Sequence, residues 1–258
     1  MEKAIGLVGG MGPYAGLDLL KKVYDNVDVH SDQGYPDVML ISASRLIPDR
    51  SAYIKNPETE NPAVGISYCV RKLADMGATH IGVSCNTAHA PIIMNKVRAF
   101  IEREGLSVSL LSIVAETRDH VVRNIKPGRI ALFATEGTYR SGIYRDSFCD
   151  DPQYEIVEPE NDEKQLIWDA IYSKEFGIKS MSSPVQTQAV ENFRVVAERM
   201  MERDGIDTFI MGCTEIPLGM NRLKLPATLI DPAVILARAL VGAVVPEKLK
   251  RAQYPAFA

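Results

Sequence analysis

The sequence predicts two pseudo-symmetric α/β lobes, each a three-layer sandwich with a parallel sheet, and a cleft between them. Two observations carry this. Short apolar runs alternate with longer helical patterns along the whole chain, and a thirteen-residue segment returns near the far end with its punctuation intact. Strand-helix alternation at this length is the mark of parallel sheets covered by helices. With 258 residues, 46% of them hydrophobic, the chain can bury a sizeable core as one large or two small domains.

In chain order, strands are expected at 4–8, 38–42, 80–84, 109–113, 130–134, 154–157, 208–211 and 228–230. Helices are expected at 16–28, 62–76, 90–104, 115–124, 141–149, 162–172, 185–204 and 233–245. The repeat joins two of these units. Leu73-Ala74-Asp75-Met76-Gly77 ends a helix, and a strand then runs to Cys85. Met201-Glu202-Arg203-Asp204-Gly205 ends another, and its strand runs to Cys213 at the same distance from its glycine. Each glycine reads as a helix C-cap. Upstream, Ile5-Gly6-Leu7-Val8 precedes Cys85 by about the interval at which Ile130-Ala131-Leu132-Phe133 precedes Cys213. The expected division places residues 1–113 and 217–258 in the first lobe with Cys85, and 114–216 in the second with Cys213. In open α/β sheets ligands bind beyond the carboxyl ends of the strands. Two facing lobes would therefore bring both cysteines to one cleft.

Charge and composition narrow the function classes. The formal net charge is −4, and Lys and Arg are scattered. That leaves no footprint for nucleic acid and argues against a membrane-surface partner. No apolar run approaches the ~20 residues of a membrane span. Met1-Glu2-Lys3-Ala4-Ile5 lacks the apolar core and cleavage site of a signal peptide, so a cytoplasmic location is expected. The four cysteines, Cys69, Cys85, Cys149 and Cys213, are too widely and irregularly spaced for a disulfide framework and read as thiols. Cys69 and Cys149 fall on helices and read as buried apolar residues.

Two thiols at matching strand ends suit one kind of chemistry. Inverting a stereocentre by deprotonation needs a base on one face and an acid on the other, and a thiolate with a thiol supplies both. A thiolate is favoured near a cation or a helix N-terminus. Asn86-Thr87-Ala88 and Thr214-Glu215 follow the two cysteines and offer N–H groups and polar side chains for a carboxylate. Other readings fit less well. Gly10-Met11-Gly12-Pro13-Tyr14-Ala15 has the form of a dinucleotide fingerprint, but no acidic residue ends the second strand at Ile41-Ser42-Ala43-Ser44. The plainer reading is a glycine turn beside a ligand, with Pro13 opening a helix. Cys85 and His89 have a conceivable zinc spacing, but no His follows Cys213. His89 reads as a structural residue, with tuning of the thiolate as the alternative. Glu215 reads as a turn-stabilising carboxylate, with a third catalytic group as the alternative. No lysine sits in a recognisable pyridoxal-phosphate motif.

The motifs Gly9-Gly10-Met11-Gly12-Pro13, Ile47-Pro48-Asp49-Arg50, Cys85-Asn86-Thr87-Ala88-His89 and Gly212-Cys213-Thr214-Glu215 span nearly the whole chain. In that order they resemble the aspartate/glutamate racemase family. The resemblance implies a cofactor-independent amino-acid racemase with no metal, usually a homodimer, acting on aspartate, glutamate or a broader amino-acid set. Related two-cysteine enzymes, such as maleate isomerase or hydantoin racemase, and an inactive binding protein are the alternatives. Carried over by residue, Cys85 and Cys213 would be the acid/base pair, and Arg50 would bind a carboxylate with Asp49 beside it. Met11 and Tyr53 would line the pocket, and Asn86, Thr87 and Thr214 would hold the α-carboxylate. The family's side-chain lysine follows an Ile-Tyr pair. After Ile171-Tyr172 its closest spacing would land on Phe176, so Lys179, followed by the small Ser180, is favoured over Lys174.

Overall fold

Each half of the chain builds its own four-stranded parallel sheet, and the two sheets share one strand order. The computed structural model describes residues 3–251. The first sheet consists of β1 (Ile5–Gly9), β2 (Val38–Ser42), β3 (His80–Val83) and β4 (Ser109–Leu111), in the order β2-β1-β3-β4. The second consists of β5 (Gly128–Phe133), β6 (Tyr154–Val157), β7 (Thr208–Met211) and β8 (Thr228–Ile230), in the order β6-β5-β7-β8. The internal repeat is thus a repeat of topology: β3 and β7 both stand beside the first strand of their own sheet.

The helices are α1 (Pro13–Asp25), α2 (Arg50–Lys55), α3 (Pro62–Asp75), α4 (Pro91–Arg103), α5 (Ile113–Asn124) and α6 (Glu136–Ser141). They continue with α7 (Ile143–Ser147), α8 (Asn161–Tyr172), α9 (Thr187–Asp204), α10 (Ile216–Met220) and α11 (Pro232–Val244). Several starts are written locally. Pro13, Pro62, Pro91 and Pro232 occupy first-turn positions, where the missing N–H costs nothing. Asn61 and Asp231 cap α3 and α11 with their side chains, and Glu160 and Glu163 form a capping box on α8. Gly77 and Gly205 both take positive φ where the repeat predicts helix ends.

Three apolar clusters make the layers. Helices α3 and α4 cover one face of the first sheet, with Ile66, Val70 and Val97 against Val8 and Ile81. On the second sheet, α8 and α9 do the same, with Ile167 and Val196 against Phe133 and Phe209. The remaining faces meet a shared core that runs from Ile5 and Leu7 through Leu236 and Leu240 to Ile130 and Ile210.

Some boundaries differ from expectation. Helix α1 begins at Pro13, and residues 26–28 lie beyond its end. The helix expected at 141–149 is the shorter α7, because Gly142 takes φ +65° and separates it from α6. Helices α2, α6 and α10 had no sequence counterpart. Strand β8 pairs with β7, so residues 228–230 belong to the second sheet, while α11 packs against α1, α5 and β3. We therefore place the return to the first lobe after β8 rather than at 217. Cys149, expected to be buried, is exposed.

One packing constraint is directly testable. A Cβ on Gly65 of α3 would stand 2.0 Å from the Leu46 carbonyl oxygen. Gly-to-Ala in an exposed helix gains up to about 1 kcal/mol. Here Gly65→Ala should instead cost about 1–3 kcal/mol, read as a lower urea midpoint.

Candidate active site

The carboxyl ends of the inner strands face a common cleft, and every candidate residue is placed by what happens just past those ends. Gly9 lies opposite Ser42, so the loops after β1 and β2 run side by side. Gly10 takes φ +91°, and a Cβ there would meet the Ala43 and Ser44 nitrogens at 2.7 Å. Only glycine lets these loops touch. The turn delivers the Met11 carbonyl and the Gly12 N–H to the cleft. The next loop delivers Asp49 and Arg50 at the start of α2, where Asp49 Oδ1 accepts from the Ala52 N–H at 2.7 Å.

A cavity of about 450 Å³ opens here, walled by Met11, Ile47, Asp49, Arg50, Lys179 and Glu215 among others. Arg50 is buried and donates to the Met11 and Pro48 carbonyls at 2.9 and 3.1 Å. Burial pulls its basicity down, but Cys85 and then Asp49 outweigh that and hold it up. Arg50 and Cys85 interact electrostatically across the site. Two buried donors beside Cys85, Arg50 Nε and Asn86 Nδ2, have no partner among the described residues.

On the opposite side, Glu215 is the junction. Its Oε1 accepts from the Gly12 N–H at 2.7 Å and from Lys179 Nζ at 2.6 Å, and its Oε2 accepts from the Cys213 thiol at 3.0 Å. Burial raises the carboxyl, but Lys179 and these hydrogen bonds win and hold it below the usual carboxylate range. Lys179 is held up by Glu215 and then Cys213 against its own desolvation. Cys213 is pushed well above the ordinary thiol range by burial and then by Glu215, with Lys179 opposing. Tyr172, whose ring lies 5.6 Å from Lys179 Nζ, is also pushed up, first by burial and then by Asp49 and Cys213.

The expected residues therefore divide. Arg50, Lys179, Asp49 and Met11 reach the cavity wall. Lys174 is exposed, and Phe176 packs against the core of the second lobe. Cys85 and Cys213 are buried and are not among the lining residues; Cys213 donates to the wall residue Glu215, and Cys85 interacts electrostatically with the wall residue Arg50. Tyr53 accepts from Asn61 Nδ2 at 2.6 Å and is buried away from the cavity lining. Thr87 joins Thr135 and Thr138 of the second lobe at 3.0 and 2.9 Å. Thr214 crosses the other way, donating to the Ser84 carbonyl at 3.1 Å. These hydroxyls register one lobe on the other. Asn86 Oδ1 accepts from buried Tyr144 at 2.6 Å, which fixes the amide with its Nδ2 free. Sequence reasoning gave Glu215 a turn role, with a third catalytic group as the alternative, and missed its contact with Lys179, 36 positions away on another segment, and with Cys213 in its own turn. It also missed Tyr172, Thr135 and Thr138.

Comparison with known proteins bears on this arrangement. Residues 8–240 match the model of the family described as Asp/Glu/Hydantoin racemase. Among curated relatives, the glutamate racemase of Corynebacterium glutamicum is 23% identical over 57% of this chain and 47% of its own. That of Desulforudis audaxviator is 30% identical over 65% of this chain and 56% of its own. The chain thus spans about half the length of the curated relatives it matches. Picrophilus torridus aspartate racemase superposes with a TM-score of 0.78 at 24% identity, covering 94% of each chain, a likeness of fold. The chain belongs to the Asp/Glu/hydantoin racemase family.

His89 yields a pH prediction. Its Nδ1–H donates to the Cys85 carbonyl at 2.9 Å, and burial pushes its pKa down to about 4. The ring is neutral when folded and titrates near 6.5 when unfolded. As pH falls from 6.5 toward 4, the unfolded chain takes up a proton that the folded protein refuses. Stability is lost through that window. Urea titrations should show the wild type losing about 3 kcal/mol more than His89→Asn between pH 7 and pH 4.

Proposed function

We propose that this family member is a cofactor-independent amino-acid racemase that inverts the α-carbon by proton transfer between Cys85 and Cys213. Aspartate and glutamate are the first candidate substrates within a broader amino-acid set. A homodimer is part of the same family reading, and a cytoplasmic location follows from the reading of the N-terminus and the cysteines. The observation that carries the proposal is the pair of unpartnered buried donors, Arg50 Nε and Asn86 Nδ2, on the residue that acts electrostatically on Cys85 and on the residue that follows it in the chain. A buried donor without an acceptor is costly, and a substrate carboxylate supplies acceptor oxygens for both.

In the proposed cycle the α-carboxylate docks on those donors. Asp49, on the cavity wall, faces the substrate ammonium, and Lys179 faces the side chain. The thiolate of Cys85 takes the α-proton from one face. The electron pair left on the α-carbon spreads into the carboxylate, whose growing charge Arg50 and Asn86 stabilise. The Cys213 thiol then delivers its proton to the opposite face. Cys85 ends as a thiol and Cys213 as a thiolate, which is the state needed for the reverse direction. No atom is gained or lost beyond the exchanged proton.

The test is α-proton exchange in heavy water across L- and D-amino acids without added cofactor. Exchange with at least one pair of enantiomers is expected, and exchange with none would sink the racemase reading. Cys85→Ser and Cys213→Ser should each lower kcat/KM by roughly 100-fold or more, the usual scale of a positioned acid or base. Full activity in both variants would rule out the two-base mechanism. Turnover of maleate or a hydantoin with no amino-acid exchange would point to a sister activity.

A further inference from the structure

The two cysteines occupy matching positions of a duplicated fold, yet their surroundings carry opposite charge. Cys85 interacts electrostatically with the Arg50 guanidinium. Cys213 has the Glu215 carboxylate, to which its thiol donates at 3.0 Å. The asymmetry comes from one repeat position. Two residues after Cys85 stands Thr87, whose hydroxyl reaches the loop after β5. Two residues after Cys213 stands Glu215, which reaches the loop after β1. The crossing contact is common to both lobes, and only the second one carries a charge.

We propose that Glu215 is a positioning residue that holds the Cys213 sulfur as a thiol in the substrate-free protein, so that Cys85 opens the cycle as base and Cys213 as acid. The second half of this statement rests on the racemase reading; the first half does not. Glu215 Oε1 is already occupied by the Gly12 N–H and Lys179 Nζ, which leaves Oε2 facing sulfur. A carboxylate can only accept there, so the sulfur must carry hydrogen. A thiolate would instead set two anions 3.0 Å apart at a buried site. The charged and titratable groups facing Cys213 are Glu215, Lys179, Tyr172 and Tyr139. Burial keeps both phenols neutral, and Lys179 is already paired with Glu215 at 2.6 Å. Among the described residues the other cation of the site is Arg50, which acts on Cys85.

The same contact gives Glu215 a part in resetting the enzyme. When Cys213 has donated its proton, its thiolate is left against Glu215. Uptake of a solvent proton by Cys213 and release of one by Cys85 restores the starting state, with no net change in protons. Repulsion from Glu215 drives that return.

The experiment is alkylation of the substrate-free protein by iodoacetamide, followed by peptide mass mapping. It spans pH values below and above the ordinary thiol pKa of about 8.5. The two residues are similarly covered, at 5% and 7% exposure. Exposed Cys149 is the internal reference, and buried Cys69 reports unfolding. Cys85 should label roughly tenfold or more ahead of Cys213 near neutral pH, and the Cys213 midpoint should lie above that of Cys149. Glu215→Gln keeps the shape and removes the charge, and should raise Cys213 labelling roughly tenfold with Cys149 unchanged. Cys213 labelling first in the wild type overturns the proposal. So does an unchanged Cys213 rate in a Glu215→Gln protein that keeps Cys69 protected. If Cys69 becomes reactive in that variant, the wild-type order and midpoints decide. With an identified substrate, the alkaline limb of kcat/KM should move to lower pH in Glu215→Gln. Racemisation with equal labelling of the two cysteines refutes the role of Glu215 and leaves the racemase reading standing. The predicted labelling without racemisation does the reverse.

Discussion

A buried carboxylate that must find compensation organises this molecule. Glu215 is 3% exposed, and an anion so placed is tolerable only with charge and hydrogen bonds around it. The fold answers with Lys179 from the segment after α8, the Gly12 N–H from the loop after β1 and the Cys213 thiol from its own turn. One ion thereby ties the ends of two sheets and a connecting segment into a single arrangement. Removing one partner of such a buried pair typically costs about 3–5 kcal/mol, so the network constrains the fold as well as the chemistry.

Duplication supplies the geometry, and departure from duplication supplies the polarity. Matching strand orders bring two cysteines to matching strand ends, and the residues two positions later both cross to the opposite lobe. Thr87 makes that crossing as part of a hydroxyl cluster with Thr135 and Thr138, which needs no counter-ion. Glu215 makes it as an ion and draws Lys179 into the cleft. Arg50, from α2, stands beside the other cysteine. A symmetric scaffold thus carries a cation beside one sulfur and an anion beside the other.

What escaped sequence reading shares one physical cause. The helices α2 and α10 carry Arg50 and follow Glu215, yet they have 6 and 5 residues. Segments of under two turns show no helical period, and their amphipathicity cannot be read. Their stability comes from tertiary contact and from caps such as Asp49. Tyr53 and Thr214 were legible as residues of interest, but their hydroxyl partners, Asn61 and the Ser84 carbonyl, are set by packing. Strand β8 could be read as a strand but not assigned to a sheet, since partner choice is not written in a strand's own pattern.

By itself the sequence determined the class of fold, all eight strands, the repeat and its two cysteines. Each rests on local order: apolar period, first-turn prolines, and glycines that alone tolerate positive φ at Gly77 and Gly205. The motifs after the strands marked Arg50 and Glu215, and the family resemblance marked Lys179, without pairing them. Only the tertiary structure decided that Lys179 rather than Lys174 enters the cleft, and that it arrives bound to Glu215. It also decided that Thr87 and Thr214 join lobe to lobe, and that one cysteine faces a cation and the other an anion. Those outcomes depend on distances between groups far apart in the chain and on exclusion of water around them. Neither is a property of any short stretch of sequence.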